Sequence, residues 1–187
     1  MRTLLIVFTL LFFVNPLWAK DIAGVEVEES VVNSGGTTLQ LNGAGIRKKF
    51  FVKVYIAELY LETPAADASR VIADDGAKRI VMHFLYDEVG RDKIVESWNE
   101  GFAANNDAAT LDSLRAEIEA FNAMFDEDMT ADDVIVFDYI PGSGTQVKIK
   151  ENIKGVIEGK GFNDALLSIW LGEEPVTSDL KKALLKK

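Results

Sequence analysis

A chain of 187 residues with 48% hydrophobic and 27% charged content is long enough for a buried core and too apolar to stay disordered. Its formal net charge of −10 speaks against a nucleic-acid or anionic-membrane partner, because phosphate binding needs a cationic footprint. The absence of cysteine excludes disulfides, thiolate metal sites, cysteine nucleophiles and a lipoprotein anchor.

The N-terminus has the plan of a signal peptide: Arg2, the apolar run Leu4–Val14, Asn15-Pro16, and a cleavage point after Ala19. The apolar run is too short to span a bilayer. The expected organisation is therefore a signal peptide over 1–19 and one domain over 20–187, periplasmic or secreted, with no membrane span after cleavage. No repeat or low-complexity linker divides the chain.

Ile22–Glu28 reads as a first strand, Asn33–Gly36 as a turn and Thr37–Leu41 as a second strand. Phe50–Leu61 is apolar at both parities, as expected of a strand covered on both faces. Arg79–Tyr86 is a further strand. The period then becomes helical over Arg91–Asn105 and again from Leu111 to Phe125, an expected antiparallel pair. Strands return at Val134–Ile140, Gln146–Lys150 and Gly155–Ile157. Phe162–Leu171 is a helix stopped by Gly172 and Pro175, and Ser178 is the expected cap of a last helix, Asp179–Leu185. This order defines an α+β fold, an antiparallel sheet packed by helices.

Several chemical signals fail on inspection. Asp126, Asp128, Thr130 and Asp132 have calcium-loop spacing, but Ala131 replaces the required glycine and Phe137 the bidentate glutamate. No metal site is expected. His83, the only histidine, sits in an apolar strand and is read as a hydrogen-bonded strand residue. Gly43-Ala44-Gly45 and Pro141–Thr145 lack the helix N-terminus that a phosphate would need, so both read as turns, the first allowing a close backbone approach. No cofactor is implied.

Arg47 is the remaining candidate. On an unbroken strand it shares a face with Tyr55, but about 27 Å away at ~3.4 Å per residue, too far to grip one small anion without a bend or bulge. The competing reading makes Arg47 a surface cation beside Lys48 and Lys49, and Tyr55 a core aromatic.

Four blocks, LNGAGIRKKFFVKVYIAELYLE, KRIVMHFLYDEVGRDKIVESWNEGFAANN, DVIVFDYIPGSGTQVKI and GFNDALLSIWLGEEPV, resemble in that order the chalcone isomerase-like family, particularly its exported bacterial members. The resemblance implies a curved antiparallel sheet with helices layered on one face and a ligand cleft between them. It also implies one of two chemistries: an arginine that offsets a developing enolate during ring closure, or an arginine and a tyrosine that hold a fatty-acid carboxylate. Arg47 matches the family arginine after the GAG segment, Tyr55 a position where the isomerases have threonine, and Lys93 a family lysine. The isomerase tyrosine corresponds to Gly90 and its asparagine to Ser97, with Asn99 a substitute only on a rotated helix.

With the tyrosine missing, the expected function is a non-catalytic binder of a fatty acid or similar amphipathic carboxylate. Arg47, Tyr55, Lys93, Ser97, Trp98 and Asn99 are its candidate site, with the strand Phe50–Tyr60 and the Trp98 helix lining the tail. The alternatives are an intramolecular lyase or isomerase with Arg47 as the electrophilic stabiliser, and an envelope protein that binds a partner through an exposed Leu111–Phe125 helix or its acidic surface.

Overall fold

The computed structural model describes residues 20–186; the expected signal peptide lies outside them. The chain forms β1 (Lys20–Ile22), β2 (Val25–Val27), β3 (Ser30–Val32), β4 (Thr38–Lys49), β5 (Val52–Leu61), α1 (Ala68–Ala73), β6 (Lys78–Phe84), β7 (Glu88–Val89), α2 (Arg91–Asn105), α3 (Ala108–Ser113), α4 (Arg115–Ala123), β8 (Met129–Thr130), β9 (Val134–Ile140), β10 (Gly144–Ile149), β11 (Asn152–Ile157), α5 (Lys160–Leu171) and α6 (Ser178–Leu184).

Seven strands make one sheet in the order β11-β10-β9-β6-β5-β4-β3, every pair antiparallel. The sheet curls into a half-barrel, so that the loop after β3 meets β9 across it, where the Ser34 amide donates to Asp138 Oδ2.

The two parities of β5 go to different environments. Tyr55, Ala57, Leu59 and Leu61 face the helices and join the main core with Trp98, Phe102, Phe121, Phe137 and Trp170. Tyr60 faces the other way, into a smaller cluster with Leu39, Ala77 and Val81. Helix α5 is buried over nearly its whole length, from Phe162 to Leu171, because it lies between the sheet and the other helices.

Several sequence expectations need correction. The stretch read as one strand, Ile22–Glu28, is a hairpin, with Ala23 and Gly24 at positive φ between β1 and β2. Gly43-Ala44-Gly45 is no turn but the middle of β4. Its glycines admit α6: a Cβ on Gly43 would lie 2.2 Å from the Ala183 carbonyl oxygen, and one on Gly45 2.6 Å from the Ala183 Cβ. Leu111–Phe125 breaks at Leu114 into α3, which buries no residue, and α4, while Phe121 and Phe125 are buried in the core. The cap of α6 is Thr177, whose hydroxyl accepts from the Leu180 amide, rather than Ser178. Helix α1, capped by Asp67, was not anticipated.

Candidate functional site

The most consequential correction concerns Arg47. Phe50 and Phe51 do not begin a strand; they form the two-residue loop of a hairpin in which Lys49 pairs with Val52. Arg47 is therefore the direct cross-strand partner of Tyr55. The register shifts between Arg47 and Lys48, leaving Val54 as the extra residue of a bulge. Its carbonyl accepts the amides of Leu85 and Tyr86, and both Val54 and Tyr55 are packed on the helix side of the sheet. The guanidinium carbon of Arg47 lies 5.6 Å from the Tyr55 ring centre, within cation–π range.

Two adjoining hollows share Arg47, Val54, Val89 and Ser97. The outer one, about 500 Å³, lies between the β4–β5 hairpin (Arg47, Lys49, Phe50, Val52) and the opposite wall of Tyr86, Gly90, Lys93 and Glu96. The inner one runs under the sheet past Tyr55, Phe84, Ile94, Trp98 and Ile169 and holds only about 40 Å³. Arg47, half-buried, stands where the two meet. A cleft of several hundred Å³ suits a small ligand, whereas the inner hollow accepts little more than a head group. Of the expected lining, Phe50, Val52 and Val54 and the Trp98-helix residues Lys93 and Ser97 border the outer hollow, while the Trp98 ring packs edge-on against Phe121, Phe137 and Trp170.

Two residues that line the inner hollow have hydrogen-bonding capacity the fold does not use. Trp170 Nε1 donates to the Tyr55 hydroxyl at 3.0 Å, which occupies Tyr55 as an acceptor and leaves its own proton to give. Burial pushes the Tyr55 hydroxyl pKa up, against the opposing pull of Arg47 and Trp170, so it remains a donor at neutral pH. Trp98 Nε1 is buried without a partner among the described residues, an orphan donor of the kind that costs free energy unless something accepts from it. Arg47 likewise has no carboxylate within ion-pair distance among the described residues.

Of the candidate residues, Arg47, Tyr55, Ser97 and Trp98 line the inner hollow, and Lys93 lines the outer one, where its ammonium is tied to Glu96 at 2.6 Å. Asn99 does not belong to the site. Two residues beyond Ser97 on α2, it is turned about 200° around the axis. There it faces the groove beside α4 and accepts from Asn122 Nδ2 at 2.8 Å. Gly90 borders the outer hollow, and a Cβ there would meet only Asp128 Oδ1, at 3.9 Å. Its lack of a side chain is therefore not imposed by crowding. Trp170, Phe84 and Ile169 were missed because only tertiary packing brings them beside Tyr55.

The other motifs have structural uses. Asp128 Oδ1 accepts the Arg91 amide at the start of α2, and Asp126 pairs with Lys154. His83 lies on the sheet face away from the cleft, its Nε2 3.1 Å from Glu58 Oε1, without the geometry of a hydrogen bond. Among the described residues no cluster of acids and histidine is arranged to hold a metal, and no helix is long and apolar enough to cross a membrane.

A curled antiparallel sheet, a helix layer on one face and a cleft between them define an α+β protein. The chain belongs to the chalcone isomerase-like family, whose model matches residues 19–186. No curated protein matches it. Among solved structures it is similar to a fatty-acid binding protein of Arabidopsis thaliana, with a TM-score of 0.60, 19% identity, and coverage of 84% of this chain and 96% of that one. At that identity the likeness speaks for the fold.

Proposed function

We propose that this is an exported, non-catalytic binding protein for a fatty acid or similar amphipathic carboxylate. The observation that carries the reading is the position of Arg47, a cation without an ion-pair partner among the described residues, at the junction of a ligand-sized cleft and a narrow hollow lined by Tyr55 and Trp98. The carboxylate pairs with Arg47 and accepts from Tyr55, and the Trp98 indole lies within the same hollow. Charge-assisted bonds of this kind offset the dehydration of the acid. The tail runs outward along Phe50, Val52, Val54 and Val89. The fatty-acid binding protein that shares the fold supports the ligand class. The missing phenol at Gly90 counts against ring-closure chemistry, which needs an ordered donor near the reacting oxygen.

Native mass spectrometry of the protein purified from its own host, followed by lipid extraction, tests this reading. A co-purifying fatty acid supports it. An empty protein that takes up no added fatty acid contradicts it.

A further inference from the structure

The β4–β5 hairpin ends in a feature the cleft does not explain. Lys48 to Lys53 are six consecutive exposed residues, with Phe50 88% and Phe51 100% exposed. Phe50 also has a φ of 56°, a left-handed conformation for which tight hairpin loops ordinarily recruit glycine or asparagine. The dipeptide is thus unfavourable twice over, in backbone conformation and in apolar surface left in water. An outlier of this kind persists where the tip itself has a use.

The charges around it indicate the use. Arg47, Lys48, Lys49 and Lys53 flank the two rings, and no acidic residue occurs anywhere from Gly43 to Ala57, in a chain whose net charge is −10. The overall charge that disfavours broad contact with an anionic surface is therefore absent from this one projection. The nearest acids of the cleft, Glu88, Glu96 and Glu100, belong to its other wall, and Glu96 is neutralised by Lys93. Two aromatic rings at the apex with a collar of lysines match the layering of a bilayer surface, where rings enter the acyl boundary and ammonium groups stay among lipid phosphates.

We infer that the Phe50-Phe51 tip is a docking site for an anionic phospholipid surface. This goes beyond the ligand reading and does not rest on it, although the outer cleft opens beside the same hairpin.

Flotation with vesicles tests the inference, using the protein as its host processes it. Phe51 and Lys48 line neither hollow, so Phe51→Ser and Lys48→Glu probe the tip without touching the cleft. Binding is expected on vesicles of phosphatidylcholine with about one third phosphatidylglycerol, weakening as salt rises. Phe51→Ser should lower partitioning about tenfold, the effect of withdrawing one ring from an apolar phase. Lys48→Glu should weaken binding to the anionic vesicles more than to pure phosphatidylcholine. Fatty-acid titration of Phe51→Ser in vesicle-free buffer, expected to match the parent, separates this outcome from any failure of the cleft reading. The inference is overturned if the parent stays unbound, if the variants float as well as the parent, or if Phe51→Ser instead dissolves a lipid-free dimer seen by ultracentrifugation. That last result would assign the tip to a second copy of the chain.

Discussion

Arg47 and Tyr55 face each other across one hairpin, the guanidinium carbon 5.6 Å from the centre of the phenol ring, while the phenol hydroxyl accepts from Trp170 Nε1 on α5. This chain of contacts links the rim of the cleft to the middle of the core. Tyr55 cannot swing to another χ1 rotamer without breaking the Trp170 bond, and its buried ring packs against Phe84, so it forms a platform for the cation above it. A preformed platform reduces the ordering cost of binding an anion.

Tyr55→Phe should separate the structural part of that arrangement from the binding part. It strands a buried indole N–H, so a loss of about 1–3 kcal/mol is expected in chemical denaturation. In a double-mutant cycle with Trp170→Phe, which has its own cavity cost, the two losses should be less than additive, because the second change removes the donor that the first strands. Fully additive losses would show that the hydrogen bond is not the source of the destabilisation.

On the opposite sheet face, Arg79 holds Asp138 through two bonds of 2.6 Å, and Ser34 donates to the same carboxylate. Asp138 is buried beneath the loop after β3. Asp138→Ala leaves the guanidinium and the loop without their acceptor, and about 3–5 kcal/mol of stability should disappear. Glu96→Ala, which breaks the exposed Lys93–Glu96 pair, should leave the unfolding midpoint unchanged. Urea titrations of the two variants check that ranking.

Alkaline pH should destabilise the protein through its tyrosines. Burial raises the Tyr60 hydroxyl well above the ordinary range, and the Glu58 carboxylate, which accepts from it at 2.6 Å, raises it further; burial raises Tyr55 as well. In the unfolded chain both ionise near pH ~10. Above that point the folded state binds more protons than the unfolded one, so stability is full below it and falls as pH rises. Lys78, whose ammonium burial pushes down, acts in the opposite sense, but its effect is confined to pH below the unfolded lysine value of ~10.4 and adds no slope above it. Comparison with Tyr60→Phe isolates the tyrosine effect: the variant should lose stability less steeply above about pH 10. Equal slopes would contradict the assignment.

Gly90→Tyr restores the phenol position of the isomerase branch at a site with regular backbone and open space. It should fold with little change in stability, since the added side chain enters the outer cleft. Fatty-acid affinity should fall, because the ring occupies space in that cleft. Unchanged affinity would place the tail elsewhere.

Much of the fold can be read from the sequence. Val134–Ile140 has the same ends in sequence and structure, and the helix containing Trp98 lies over Arg91–Asn105 as its period requires. What sequence reasoning misses are reversals without turn residues. Phe50-Phe51 looks like the start of a strand because both residues favour strands, yet the chain turns there. That single misreading separates Arg47 from Tyr55 by about 27 Å on paper, whereas the structure pairs them. Trp170, as the partner of Tyr55, is invisible to periodicity because the two are 115 residues apart. Asn99 fails for a local reason, since one hundred degrees per residue along α2 carries it out of the site that Ser97 lines.

The central claim is that the Arg47 guanidinium binds a carboxylate, and calorimetric titration with a long-chain fatty acid and the alcohol of equal length tests it most directly. The acid should bind at least about tenfold more tightly than the alcohol, as a charge-assisted pair requires. Arg47→Ala should abolish that preference while leaving the thermal midpoint nearly unchanged, and Arg47→Lys should restore only part of it because a single ammonium cannot offer the planar fork. If Arg47→Ala binds the acid as tightly as the parent, or the parent does not distinguish acid from alcohol, Arg47 does not hold the head group.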